Sequence, residues 1–242
     1  MGRSTTAISQ AMTIFDEPIP AHLRISLRSM LLTNLDTVTT DVFELELFGW
    51  YLKETEAVLN GMLSSEMVYI QQQIEGNEEV NDSGVVAVEY YTKRIRYSHV
   101  INLTSLLETC LDRACSKLTV AVGQENLPFS VSELTGDQWS KRCKFLERYG
   151  HFKLPGDQWS EVKLLIDVRN YLVHENGNTA NLSNDHRKAL SKRPGVNVEG
   201  YEFKIESAYI QHAFEAVKRL VETIEERLRD VIRRATRPQI VP

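Results

Sequence analysis

The sequence predicts an all-α protein: a helical bundle of long antiparallel helices, with one short β-hairpin near 196–205. Three observations predict it. Apolar residues recur at spacings of three, four and seven over two stretches of more than 30 residues each. Only a short polar loop separates those stretches, which favours an antiparallel pair. Alternation of apolar with polar residues, the signature of a strand, is confined to a few positions around Glu199-Gly200.

Taken in order, residues 1–20 are Ser/Thr-rich and end in Glu17-Pro18-Ile19-Pro20, which reads as a flexible or loosely docked arm. Helix is expected from Ala21 to about Asn34, with Leu23, Leu27, Met30 and Leu31 on one stripe. The first long helix is expected from Asp41 to about Ile74, carried by Leu45, Phe48, Leu52, Leu59, Leu63, Met67 and their neighbours. An acidic, polar loop from Glu75 to Gly84 ends it. The second long helix is expected from Val85 to about Val122, with Leu107, Leu111, Ala114 and Leu118 on its apolar stripe. Glu108 lies among those apolar residues, either partly buried and paired or solvated at the edge of the stripe.

After an irregular segment, Gly-Asp-Gln-Trp-Ser occurs twice, at 136–140 and 156–160. In both copies the aspartate reads as an N-cap, its carboxylate meeting amide groups that the first helical turn leaves free. The helix begun by the second copy runs to about Glu175, with Gly177 just beyond its end. Residues 176–184 read as loop, and His186 to Gly195 as a basic connector. A last amphipathic helix is expected from about Glu206 to Ala235. No Pro/Gly/Ser-rich linker divides the chain. The division expected is therefore an arm at 1–20, an N-terminal helical extension at 21–84, a helical bundle at 85–235 and a tail at 236–242.

Of 242 residues, 42% are hydrophobic and 25% charged, enough to build a sizeable core. The net charge of −5 supplies no overall pull toward nucleic acid, so such a role needs a local basic patch. Three cysteines, Cys110, Cys115 and Cys143, form no disulfide-like pattern and point to a reducing, cytoplasmic setting. No apolar run approaches the roughly 18–20 residues that a membrane span requires, so no membrane partner is expected. Residues 1–10 lack the apolar segment of a secretory signal. The sequon Asn102-Leu103-Thr104 falls inside a helical pattern and reads as chance.

The chemistry concentrates at Asp167-Val168-Arg169-Asn170-Tyr171-Leu172-Val173-His174-Glu175-Asn176-Gly177. Helical geometry makes Asn170 and His174 neighbours on one face. Arg169 lies five positions before His174, roughly 140° around the helix. An arginine offers a fixed fork of donors to phosphate oxygens, and a histidine exchanges protons near neutral pH. An asparagine can orient either. RNA brings its own nucleophile, the 2′-hydroxyl, so such a site calls for neither a metal nor a cofactor. The same residues also allow a purely structural role. His174 can complement the carbonyl end of the helix, and Arg169 can pair with Asp167 or Glu175.

Arg169-Asn170-Tyr171-Leu172-Val173-His174 resembles the motif of the HEPN superfamily, an arginine followed by a polar residue and, a few positions later, a histidine. The resemblance covers roughly residues 85–235. It implies a helical bundle acting as a metal-independent endoribonuclease on single-stranded RNA, with a composite site completed by a second copy in a homodimer. It also implies that Arg169 holds the phosphate, Asn170 assists and His174 transfers protons. Products would end in a 2′,3′-cyclic phosphate. The setting implied is prokaryotic: a toxin with an antitoxin, antiviral defence, or RNA processing. Nucleotidylated toxins of the superfamily carry a tyrosine two residues after the histidine. Asn176 stands there in this chain, which argues against that subgroup. Two alternatives stay open: a non-catalytic helical module binding a nucleotide, RNA or a protein partner, and a small-molecule sensor built on the same cleft.

Other basic stretches have plainer readings. Lys93, Arg94, Arg96, Tyr97 and His99 have a composition that suits single-stranded nucleic acid, but on a long helix they read first as a solvated face. The connector at 187–193 reads as a solvated loop or as a guide for RNA. Arg227, Arg229, Arg233, Arg234 and Arg237 suit the electrostatics of a helix C-terminus.

Overall fold

The structure is a computed structural model and describes residues 40–122 and 127–236. The arm at 1–20, the helix expected over 21–34 and the last six residues lie outside the described residues. What is described is helical apart from loops, one 3-10 turn and one two-stranded sheet. In chain order the elements are α1 (Thr40–Glu75), α2 (Ser83–Val122), the 3-10 turn Val131–Glu133, α3 (Gln138–Gly150), α4 (Gly156–His174) and α5 (Asn184–Ser191). Strands β1 (Val196–Glu199) and β2 (Glu202–Ile205) and the long helix α6 (Ser207–Thr236) complete them. No helix among them is long and apolar enough to cross a membrane.

The described residues fall into two compact units, Trp50–Thr92, and Asp41–Gly49 with Lys93 onward. In the first unit, α1 ends and α2 begins. Leu52, Leu59 and Val88 are buried there. The antiparallel return is tight. The Asn81 amide donates to Gln73 Oε1 at 3.0 Å, and a side chain on Gly84 would run into the Glu66 carboxylate. Met67, expected in the apolar stripe, is instead exposed.

The second unit holds the larger core. Leu103, Leu107, Leu111 and Leu118 of α2 are fully buried, as are Phe145 and Leu146 of α3, Leu165 of α4 and Leu220 and Leu228 of α6. Their spacing within each helix puts them on one stripe, and α4 and α3 both pack on α6. The start of α1 is held by charge. Buried Asp41 accepts from Arg113 at 2.8 Å and from Lys117 at 2.9 Å. Arg142 of α3 is nearly buried and takes Asp112 through two nitrogens, at 2.6 and 2.8 Å, with Glu108 at 3.0 Å. Glu108 is thus paired and also partly exposed, so both of its readings hold in part. All three cysteines are free and buried, and burial pushes each thiol up to about 12. They are core residues rather than nucleophiles.

The two Gly-Asp-Gln-Trp-Ser copies start their helices differently. Asp137 is an N-cap, accepting from the Ser140 amide at 2.8 Å. Asp157 is not. Pro155 occupies the cap of α4, with no side-chain hydrogen bond, and Asp157 lies in the first turn. The local difference is at the glycine: Gly136 takes φ +123 outside its helix, whereas Gly156 is already helical. A second correction concerns the basic connector, most of which is the helix α5. Its cap is Ser183, which accepts from the His186 amide at 3.2 Å, and Leu190 is its buried anchor. The hairpin forms as expected, with Val196 opposite Ile205 and Glu199 opposite Glu202. Its turn is Gly200-Tyr201 rather than Glu199-Gly200, and Gly200 takes the left-handed φ of +58 that the turn requires.

Candidate functional site

The candidate site is built on the last two turns of α4. Val162, Leu165, Val168 and Leu172 bury one face of that helix. With helical periodicity, Asp167, Asn170, Tyr171 and His174 then share the opposite face. By the same periodicity Arg169 falls among the buried positions, between Leu165 and Val162, and its guanidinium donates to Asn170 Oδ1 at 3.1 Å. Both side chains are half-buried, and His174 is exposed.

The structure therefore joins Arg169 to Asn170 by a hydrogen bond, while His174 shares the face of Asn170 without bonding to either. Neither hydrogen bond nor ion pair joins His174 to another described residue. The surface pairing open to Arg169 is not formed, because its partner is Asn170 rather than Asp167 or Glu175. Asp167 instead faces α5, where His186 Nε2 lies 3.5 Å from its carboxylate. Burial raises the Asp167 pKa above the usual carboxylate range, and the nearby imidazole partly offsets this. Sequence reasoning missed this neighbour of the site, since reading 186–195 as a connector gave His186 no helix to present it. The Ser183 cap was the available signal.

The turn that follows His174 is held firmly. The amides of Glu175 and Gly177 both donate to the Tyr171 carbonyl, at 3.0 and 3.1 Å. Asn176 takes φ +51 and Gly177 φ +77. The chain then runs beside β2: the Phe203 amide donates to the Gly177 carbonyl at 3.3 Å, and Thr179 to Tyr201 at 2.8 Å. Tyr171 closes the packing from α4, its ring 5.9 Å from Phe203 and 6.3 Å from His186.

From α2, the residues read as a solvated face prove to be fasteners for this turn. Tyr97 is buried and donates to the Phe203 carbonyl at 2.6 Å. Arg94 donates to Asn176 Oδ1 at 3.0 Å, Arg96 reaches the Ile205 carbonyl at 3.4 Å, and Lys93 pairs with Glu202. His99 is fully buried. Burial, with Glu202 nearby, pushes the Tyr97 phenol up to about 12, so it remains a hydrogen-bond donor at neutral pH. Asn176, where the resemblance marks a departure, thus has a structural task of its own.

Chemically, the patch offers one cationic fork steadied by an amide oxygen, and one solvent-facing imidazole a turn further on. No three His, Cys, Asp or Glu residues stand close enough to hold a metal ion among the described residues. Comparisons with protein-family models, with curated proteins and with solved structures found no match to this chain.

Proposed function

We propose that the chain is a HEPN-type endoribonuclease that cleaves single-stranded RNA without a metal, through a site completed by a second copy. The observation that carries this reading is the Arg169–Asn170 hydrogen bond one turn before an exposed His174 at a helix end. Transesterification of RNA forms a bond from the 2′-oxygen to phosphorus and breaks the bond to the 5′-oxygen. One group removes the 2′-proton and another protonates the leaving oxygen. A patch with one imidazole meets half of that demand, and two copies facing each other supply both halves. Arg169 neutralises the non-bridging oxygens, and Asn170 fixes the guanidinium. A homodimer, an antitoxin or other defence-system partner and a cytoplasmic setting belong to the same reading. Incubation of RNA with the protein in excess chelator tests it. Fragments ending in a 2′,3′-cyclic phosphate are expected, whereas fragments with a free 3′-hydroxyl would reject the mechanism.

That the Arg169 guanidinium is engaged by Asn170 and makes no bond to His174 within one chain favours a second reading, a non-catalytic helical module that binds a nucleotide, RNA or a protein partner. Binding of RNA with no turnover at any protein concentration would select it.

A further inference from the structure

A second surface lies at the other end of α4. Helix α3 stops at Gly150, and His151 takes the left-handed φ of +54. Gly150 leaves room for the ring of Phe152, which a Cβ at 150 would meet at 2.5 Å. The chain then turns through Lys153 into α4. This corner and the strand of chain before α3 enclose an open groove of about 690 Å³. Lys144, Arg148, His151 and Lys153 line it, with Phe152 and Glu147.

One carboxylate, Glu147, offsets part of the charge of this groove without pairing with its cations. Glu147 turns its Oε1 to the Leu154 amide at 3.2 Å. Lys144 spends one donor on the Thr135 carbonyl at 2.8 Å. Arg148 lies over the rings of Phe129 and Tyr149, at 5.5 and 5.8 Å. None of Lys144, Arg148 and Lys153 has a carboxylate within ion-pair distance, whereas Arg113, Arg142, Arg193 and Arg229 all do. The carbonyl end of α3 accounts for Arg148 and His151. It does not account for Lys144, well inside the helix, or for Lys153 beyond it. In a chain of net charge −5, three cations without a carboxylate partner around one groove, with aromatic rings beside it, form a local basic patch. Residues 50–92, by contrast, carry eight carboxylates and one lysine, so they repel a polyanion.

We propose that this groove binds the phosphate backbone of single-stranded RNA, as a docking site separate from Arg169, Asn170 and His174; naming RNA rests on the function proposed above. Along α4 the start of the helix lies about 20 Å from Arg169 and about 27 Å from His174 at a rise of ~1.5 Å per residue. Those distances span about six to eight nucleotides at ~3.4 Å per stacked nucleotide. The groove therefore serves only strands longer than this, raising their affinity without touching the scissile phosphate.

The test measures anisotropy of a labelled oligouridylate of about 20 nucleotides across a salt series, with circular dichroism confirming the fold of each variant. Lys144→Glu, Arg148→Glu and Lys153→Glu combined are expected to weaken binding at least tenfold and to lower the salt slope by about two. The milder Lys144→Gln and Lys153→Gln pair is expected to lower it by about one. Lys53→Gln, an exposed position of α1 that belongs to neither place, is expected to leave binding of the strand within about twofold. Unchanged affinity and slope in the charge-reversed variant would overturn the proposal. So would displacement of the strand by inorganic phosphate at matched ionic strength, which would assign the groove to small anions. Cleavage separates this failure from failure of the function. Intact cleavage with no groove effect on KM for long strands rejects the groove alone; groove-dependent binding with no cleavage rejects the nuclease and leaves the groove standing.

Discussion

The Tyr97 hydroxyl donates to the Phe203 carbonyl at 2.6 Å, and the same ring fills the space where a side chain on Gly177 would stand. One residue of α2 therefore clamps β2 and fixes the turn three residues after His174. Tyr97→Phe removes a buried hydrogen bond and should cost about 1 kcal/mol in urea unfolding. Gly177→Ala should cost more, roughly 2–4 kcal/mol. It adds a left-handed alanine to a contact of 2.8 Å with the Tyr97 ring. Equal and negligible losses in the two variants would mean that the turn is not fixed in this way.

Arg142 and Lys93 make ion pairs of very different standing. Arg142 is nearly buried and forked onto Asp112, whereas Lys93 and Glu202 are open to solvent. Arg142→Lys should therefore cost about 1–3 kcal/mol, because a lysine cannot reproduce the planar two-point contact. Glu202→Gln should stay below about 1 kcal/mol. Chemical denaturation of the two variants side by side reads the contrast.

Glu225 gives a pH-dependent prediction. It is buried with Oε1 unpartnered, and burial raises its pKa above the usual carboxylate range, only partly offset by Lys117. The folded chain holds this proton more tightly than the unfolded one, so stability falls as pH rises from the ordinary carboxylate range through the raised value. Glu225→Gln removes that dependence. The variant should gain stability relative to wild type at neutral pH and lose the gain in acid. An advantage of equal size at both pH values would show that burial of the charge is not its source.

Much of the fold was legible because long helices repeat their signal. The stripe expected over Asp41 to Ile74 became Thr40–Glu75, and the one over Val85 to Val122 became Ser83–Val122. Short elements gave less. In α5 only Leu190 is buried, so eight residues rich in charge show no period, and the Ser183 cap was the sole mark of a helix. Tyr97 and His99 were misread because their neighbours are cationic. Tyr97 in fact continues the buried series through Val100, Leu103 and Leu107, at spacings of three and four. At the site, the motif placed Asn170 and His174 on one face. The Arg169–Asn170 bond was not legible, because adjacent helical residues point about 100° apart and only a particular arginine conformation closes that angle.

A composite site has a concentration signature. Specific cleavage activity should climb with protein concentration and level off where sedimentation shows the dimer saturated. Activity per chain that stays constant down to fully monomeric protein would place the whole site in one copy.

The most direct measurement is the first-order rate of single-stranded RNA cleavage by wild type, Arg169→Ala and His174→Ala, at equal protein concentration in excess EDTA. Wild type should cleave despite the chelator, and each variant should fall by about 10²–10⁴-fold, the range expected on losing a proton-transfer group or a phosphate clamp. Cleavage that EDTA abolishes in wild type, or that persists undiminished in either variant, would contradict the account.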